Sequence, residues 1–291
     1  MKTRLKALAA LAVIAAVGHV SSAAAATWSD NFIGYRFGTR FHEPSNPNDV
    51  QKHVLQFTHS SGYSIGQNFL NLDILQSDDK DPANGSTNGA TEFYATYRHQ
   101  IHLGKAFDKN LAFGPVKEVA LTLGVDLNTK NTRFAPRKRL LLIGPTLKFD
   151  LPVPGFFDLS LLAGKEWNHC GLGAPACPRS DIAFDPQLVL SLVWGIPFQA
   201  GAVPLKFQGF LNYNTEKGND YAGVKTKAET LMRTSLMVDV GQMVSSKKNT
   251  FLVGVGYELW LNKFGNHAFG NGAVKPGIDT HTPTFQMEAH F

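Results

Sequence analysis

Between Glu118 and Asn128 the odd positions are all Val or Leu (Val119, Leu121, Leu123, Val125, Leu127), and the even ones are all polar or small. Side chains alternate across a β-strand, so this run describes a strand with one apolar and one polar face.

The pattern recurs from end to end. Ile33, Tyr35, Phe37 and Phe41 oppose Gly34, Arg36, Gly38 and Arg40; Leu70, Leu72 and Ile74 oppose Asn71 and Asp73. Phe93, Ala95, Tyr97, Ile101 and Leu103 oppose Glu92, Tyr94, Thr96, Arg98, Gln100 and His102, and Phe251, Val253, Val255, Tyr257, Leu259 and Leu261 oppose Gly254, Gly256, Glu258 and Asn262. The periodicity predicts an all-β chain of about twelve strands: 31–41, 50–63, 68–76, 91–103, 118–128, 138–150, 156–168, 182–194, 204–214, 229–240, 250–262 and 281–291.

A soluble sandwich alternates too, so the character of the faces has to place the chain. The polar face holds Gly, Ser, Thr and single charges of both signs, as a wet lumen would. The apolar face is long in Leu, Val and Phe, with Tyr97, Trp167, Trp194, Tyr213 and Tyr257 placed to form interfacial girdles. Export agrees. Lys2, Arg4 and Lys6 precede an apolar run from Ala7 to Val17 and a small-residue site ending at Ala25 or Ala26, the layout of a secretory signal peptide over residues 1–26. After it there is no second apolar run of the ~20 residues a transmembrane helix needs. The expected architecture is a transmembrane antiparallel up-and-down β-barrel over residues 27–291, located in a bacterial outer membrane.

An even strand number brings both termini to the periplasmic side. Loops rich in charge, Gly and Asn at Ser77 to Ala90, Thr129 to Arg137, His169 to Asp181, Thr215 to Ala228 and Lys263 to Thr280 then read as extracellular. The Pro/Gly-punctuated links Leu151 to Gly155, Gly195 to Val203 and Gly241 to Asn249 read as periplasmic turns, and Gly104 to Lys117 is longer than that scheme prefers. The final segment sets Thr284, Gln286, Glu288 and His290 against Phe285, Met287, Ala289 and Phe291. An amphipathic last strand ending on Phe291 resembles the signal read by barrel-assembly machinery. Cys170 and Cys177, the only cysteines, lie in the stretch HCGLGAPACP, where export predicts a loop disulfide.

Of the formal charge of +5, three positive charges lie in the signal peptide, leaving +2, so nothing points to a nucleic-acid partner. No G-x-S-x-G elbow, H-E-x-x-H pair or Walker loop occurs, and no cofactor or metal is expected. His99 and His102, three apart, fall on opposite strand faces; solvated or interfacial histidine is the better reading. A lipid-modifying enzyme would need Ser, His and a carboxamide or carboxylate gathered on the lipid-facing wall. Ser60 or Ser61 with His59 are the residues available for it, although no local motif marks a nucleophile.

The lumen face supplies the main candidates. The register presents Asp73, Glu92, Tyr94, Arg98, Asp126, Glu166, Phe210, Arg233, Glu258 and Trp260, together with Lys148, Asp185, Lys206, Asp239 and Glu288. These charges and rings offer hydrogen bonds to a sugar and stacking faces for a planar base. For each residue the plainer alternative is barrel filling, with opposite charges paired across the lumen.

Trp28-Ser29-Asp30, I-G-Y-R-F-G-T-R-F-H-E-P (Ile33 to Pro44), S-D-D-K-D-P-A-N-G (Ser77 to Gly85), Y-R-H (Tyr97 to His99), F-G-P-V (Phe113 to Val116), L-N-T-K-N (Leu127 to Asn131), W-G-I-P-F (Trp194 to Phe198), K-N-T-F (Lys248 to Phe251) and N-K-F-G-N (Asn262 to Asn266) follow one another along the chain. In this order they resemble the Tsx-type nucleoside-channel family of outer-membrane proteins, in particular its OmpK-like branch. The resemblance implies a monomeric twelve-stranded barrel passing nucleosides down their gradient, some relatives also serving as phage or colicin receptors. The chain is therefore expected to work as a passive channel for nucleosides or similar small polar solutes and not as an enzyme; the alternatives are a receptor or structural barrel acting through its loops and, more remotely, a lipid-modifying enzyme.

Overall fold

The computed structural model describes residues 26–291, so the signal peptide lies outside the described residues. The strands are β1 (Trp28–Glu43), β2 (Asn46–Tyr63), β3 (Gly66–Ser77), β4 (Thr91–His102), β5 (Val116–Lys130), β6 (Arg137–Phe149), β7 (Phe156–His169), β8 (Asp181–Ala183), β9 (Gln187–Ala200), β10 (Val203–Asn214), β11 (Glu229–Asp239), β12 (Phe251–Leu261) and β13 (Thr280–His290). Two short helices, α1 (Leu103–Phe107) and α2 (Val240–Ser245), and a 3-10 turn at Lys263–Gly265 complete the elements. Neighbours pair antiparallel in chain order. β13 returns to β1 and closes the wall, with Phe32 opposite His290 and Phe37 opposite Phe285. Twelve strands make this wall, as the periodicity predicts, while β8 pairs only with the extracellular end of β7.

The connections alternate as the loop chemistry predicts. β1–β2, β3–β4, β5–β6, β7–β9, β10–β11 and β12–β13 are joined at one end, the expected extracellular one, opposite the end where β1 starts at Trp28 and β13 stops at His290. The long link after β4 owes its length to α1, and that after β11 to α2, whose first turn is capped by Asp239 accepting from the Gln242 N–H at 2.9 Å.

Three details differ from expectation. The segment 182–194 is broken at Phe184–Pro186, because Pro186 has no N–H for the ladder and Phe184 is buried inside; Asp185, expected in the lumen, is exposed in the break. β9 then runs to Ala200, so the expected link at 195–203 shrinks to Gly201 and Ala202. Pro197 lies past the last β7–β9 pair, Phe156 with Gly195, where one edge of β9 has no partner and proline is tolerated. Finally, Phe41 joins the inner face. The β1–β2 register passes from Gly38–Lys52 to Phe41–Val50, an extra residue on β1, and this bulge turns Phe41 and Glu43 inward.

Candidate functional site

Beyond such irregularities, one face of each strand looks into the barrel and the other away from it. Residues on the outer face are exposed and apolar: Ile33, Leu55, Ile74, Leu141, Ile143, Leu161, Leu188 and Val255. Those on the inner face are buried and largely polar: Arg36, Lys52, Asp73, Thr122, Asp126, Thr146, Glu166, Glu258 and Glu288. A barrel in water would bury its Leu and Val and expose its charges. The inversion needs hydrocarbon outside, and a closed wall leaves no unpaired edge for that hydrocarbon to meet. The chain is an outer-membrane β-barrel. Trp167 and Tyr213 lie on the outer wall toward the extracellular ends of β7 and β10, where an aromatic girdle would sit, whereas Tyr257 lies near the middle of β12.

The lumen is built in tiers. Nearest the extracellular end, Glu43 accepts from Lys52 at 2.5 Å, Lys263 at 3.0 Å and Lys130 at 3.1 Å, while Lys130 also meets Asp81 at 2.7 Å and Lys52 meets Glu92 at 3.5 Å. Lys263 and Asp81 belong to loops, so this tier ties loops to wall. Burial pulls the Lys263 ammonium below the usual lysine range, with Glu43 opposing the shift.

Beside it Glu166 accepts from Lys217 at 2.7 Å, with Lys138 at 3.9 Å; Lys217 too comes from a loop, that between β10 and β11. The Trp260 Nε1–H donates to Glu229 at 2.6 Å, and the Lys263 ammonium stands 4.5 Å from the centre of the Trp260 ring. Lys138 lies 5.8 Å from the centre of the Tyr94 ring.

At mid-depth Asp73 Oδ2 accepts from Arg36 at 3.1 Å and from Arg233 at 3.2 Å, and Arg233 also donates to Glu258 at 2.6 Å. Arg98 donates to Asp126 at 2.6 Å, and the Arg233 guanidinium stands 5.9 Å from the centre of the Phe210 ring. Asp73, Glu92, Tyr94, Arg98, Asp126, Glu166, Phe210, Arg233, Glu258 and Trp260 therefore all project into the lumen. Each carboxylate among them faces at least one cation. Burying these charges is tolerable because each tier is close to neutral: an unpaired charge would cost several kcal/mol.

Sequence reasoning missed two features. Leu140, Leu142, Leu162 and Val189, from β6, β7 and β9, form an apolar patch on the inner wall. The signal was present, since Leu140 to Ile143 is apolar on both faces, but it reads equally as strand-end noise. The second feature is a cavity of about 30 Å³ between Tyr94, Trp260, Asp126 and the patch residues Leu140, Leu142 and Val189. That holds one or two waters. Toward the periplasm inward-facing Trp28, Phe69 and Val193 are 49, 38 and 37 % exposed, while Lys148, Asp158, Asp239 and Glu288 are buried in ion pairs and hydrogen bonds.

The Cys170–Cys177 disulfide, with Cα atoms 6.3 Å apart, lies in the loop after β7. His99 faces outward against Asn68 and Tyr63, and His102 faces inward at the periplasmic end.

No family model and no curated protein matches the chain. Solved structures do resemble it. An outer-membrane channel from Pseudomonas putida F1 aligns over 94 % of this chain and 100 % of that one, at 12 % identity and a TM-score of 0.49. The NanC porin aligns over 89 and 98 %, at 11 % identity and 0.44. The translocator domain of the autotransporter NalP from Neisseria meningitidis aligns over 100 and 96 %, at 10 % identity and 0.47. Likenesses at this level carry no argument about function.

Proposed function

We propose that the barrel is a passive outer-membrane channel for nucleosides or similar small polar solutes. The observation that carries this reading is the chemistry around the narrow point of the lumen. Tyr94 and Trp260 offer ring faces, Leu140, Leu142 and Val189 an apolar wall, and Asp126, Glu229, Asn212 and Asn214 hydrogen-bonding groups, all bordering one cavity. A solute with a flat base and a hydroxylated sugar matches that combination better than a sugar alone. A paired carboxylate keeps acceptor capacity beyond its cation, so ribose hydroxyls can share it. Near-neutral tiers present little net field to the solute, which favours uncharged permeants over ions.

Passage through the extracellular tier requires the ion pairs that tie loop to wall to part. The loop lysines Lys217 and Lys263 are the movable parts, because their partners Glu166 and Glu43 sit on the wall. Planar-bilayer recording with a nucleoside titration tests the reading. Block of the current by nucleosides at concentrations where sugars of equal size do nothing supports it; equal insensitivity to both overturns it.

The closed extracellular half favours a second reading, a receptor or structural barrel whose loops carry the function. Deleting the segments 78–90 and 170–177 distinguishes the two. Loss of phage adsorption with conductance intact supports the receptor.

A further inference from the structure

On the outer face, just below the apolar band, three polar side chains cluster, with Asn31 and His59 half-buried and Ser61 8 % exposed. Asn31 on β1 and His59 on β2 are directly paired in register, and Ser61 follows two residues along β2 on the same face. His59 Nδ1 is 2.7 Å from Asn31 Oδ1, and His59 Nε2 is 3.0 Å from Ser61 Oγ. The Asn31 Nδ2 group donates to the Phe291 carbonyl at 3.4 Å, which fixes the amide with its oxygen toward the imidazole. His59 Nδ1 must then carry the proton. Nε2 is left as a bare acceptor, and the Ser61 hydroxyl donates to it. This is the protonation state in which an imidazole serves as base to a serine and a third residue orients the ring.

A fourth residue belongs with them. Asn68 on β3 is paired in register with Ser61 and shares its face. Its Oδ1 accepts from Tyr97 Oη–H and from His99 Nδ1–H, both at 2.8 Å, which leaves its Nδ2 hydrogens uncommitted to those two partners. A side-chain amide in that place can donate to a developing oxyanion.

Depth identifies the substrate class. Asn31 is three residues from the start of β1 and Ser61 two from the end of β2, at the periplasmic rim. At about 3.3 Å per residue they lie within roughly 10 Å of the strand ends. Ile33 and Leu55 on the same face begin the apolar band. Hydrophobic thickness places the glycerol and acyl-ester groups of the inner leaflet at such a rim.

From this geometry we propose that Asn31, His59 and Ser61 form an acyl-ester hydrolysis site for inner-leaflet phospholipid, distinct from the lumen. Ser61 Oγ attacks the acyl carbonyl carbon while its proton passes to His59 Nε2, and the Asn68 amide donates to the carbonyl oxygen. The glycerol oxygen leaves with the proton from His59. Water, deprotonated by His59, then attacks the acyl-serine, releasing the fatty acid and returning the proton to Ser61. Asn31 is a positioning residue that acts through the imidazole.

The test uses the folded full-length barrel in mixed micelles of detergent and phosphatidylethanolamine, with a fluorophosphonate as covalent probe. Expected are fatty-acid release and a label located on Ser61 by peptide mass spectrometry. Ser61→Ala abolishes both, and His59→Ala slows both roughly a hundredfold or more. Asn31→Ala lowers the rate of labelling, whereas Asn31→Asp, which keeps an acceptor for His59 Nδ1 and adds a negative charge, retains labelling with its pH profile moved upward. Ser60→Ala, on the lumen side, changes nothing. A changed electrophoretic migration on boiling reports that each variant is folded. Wild-type protein that neither releases fatty acid nor labels at Ser61 overturns the proposal, as does a Ser61→Ala rate equal to wild type.

Discussion

Asp73 on β3 and Arg233 on β11 meet at 3.2 Å although their strands lie five steps apart round a wall of twelve. The contact therefore bridges the lumen rather than stitching neighbours together. Arg36 shares the same carboxylate oxygen at 3.1 Å, and Glu258 takes the other side of Arg233 at 2.6 Å. This cross-lumen chain fills the barrel at mid-depth.

Asp73→Asn should consequently destabilise the barrel. It leaves Arg36 and Arg233 buried with only Glu258 between them, a loss of about 3–5 kcal/mol by comparison with other broken buried pairs. Urea unfolding in lipid vesicles reads the stability. Reversal potentials in a salt gradient should shift toward anions, and an unchanged potential would separate Asp73 from the conduction path.

Lys217→Ala and Lys263→Ala should each raise the open-channel conductance, and the double variant more than either. Both remove a loop-borne cation from a wall carboxylate. Single-channel recording checks this; unaltered conductance in the double variant would show that the loops do not form the constriction.

Tyr94→Ala and Trp260→Ala should weaken nucleoside block roughly tenfold each, the scale of one lost stacking contact. Trp260 also donates to Glu229, so Trp260→Phe, which keeps a ring, should restore more of the block than Trp260→Leu. Equal block by all three variants would rule out stacking there.

Val255→Arg, on the outer face and 65 % exposed, should cost about 2–4 kcal/mol of folding free energy in bilayers. The inward neighbour change Gly256→Ser should not carry that lipid-facing penalty. Its own cost should be set by crowding against Gln286 and Thr284. Vesicle refolding titrations distinguish the two.

Much of this architecture is legible without coordinates because the physics is one-dimensional along each strand. Period two assigns a face to Leu123, Asp126 or Glu258 from its neighbours alone, and every lumen candidate but Asp185 falls on the inner face accordingly. Local counting fails wherever one residue is inserted or the ladder is broken. The bulge before Phe41 reverses the parity of everything up to Glu43, and Pro186 removes Asp185 from the lumen. Partners are less accessible still. That Arg233 reaches Asp73, or that Lys217 enters the lumen to meet Glu166, depends on barrel curvature and loop path, which no periodicity records. The Asn31–His59 contact belongs to the same class, since only the β1–β2 register brings the carboxamide to the imidazole.

The seam between β1 and β13 has a consequence for how the chain is made. Its pairs, such as Phe32 with His290, join positions almost the whole described length apart. Until they form, two strands present bare amides and carbonyls to whatever surrounds them, and in lipid each such group is costly. An open wall of any size consequently carries two costly edges, and only the meeting of the first and last strands removes them.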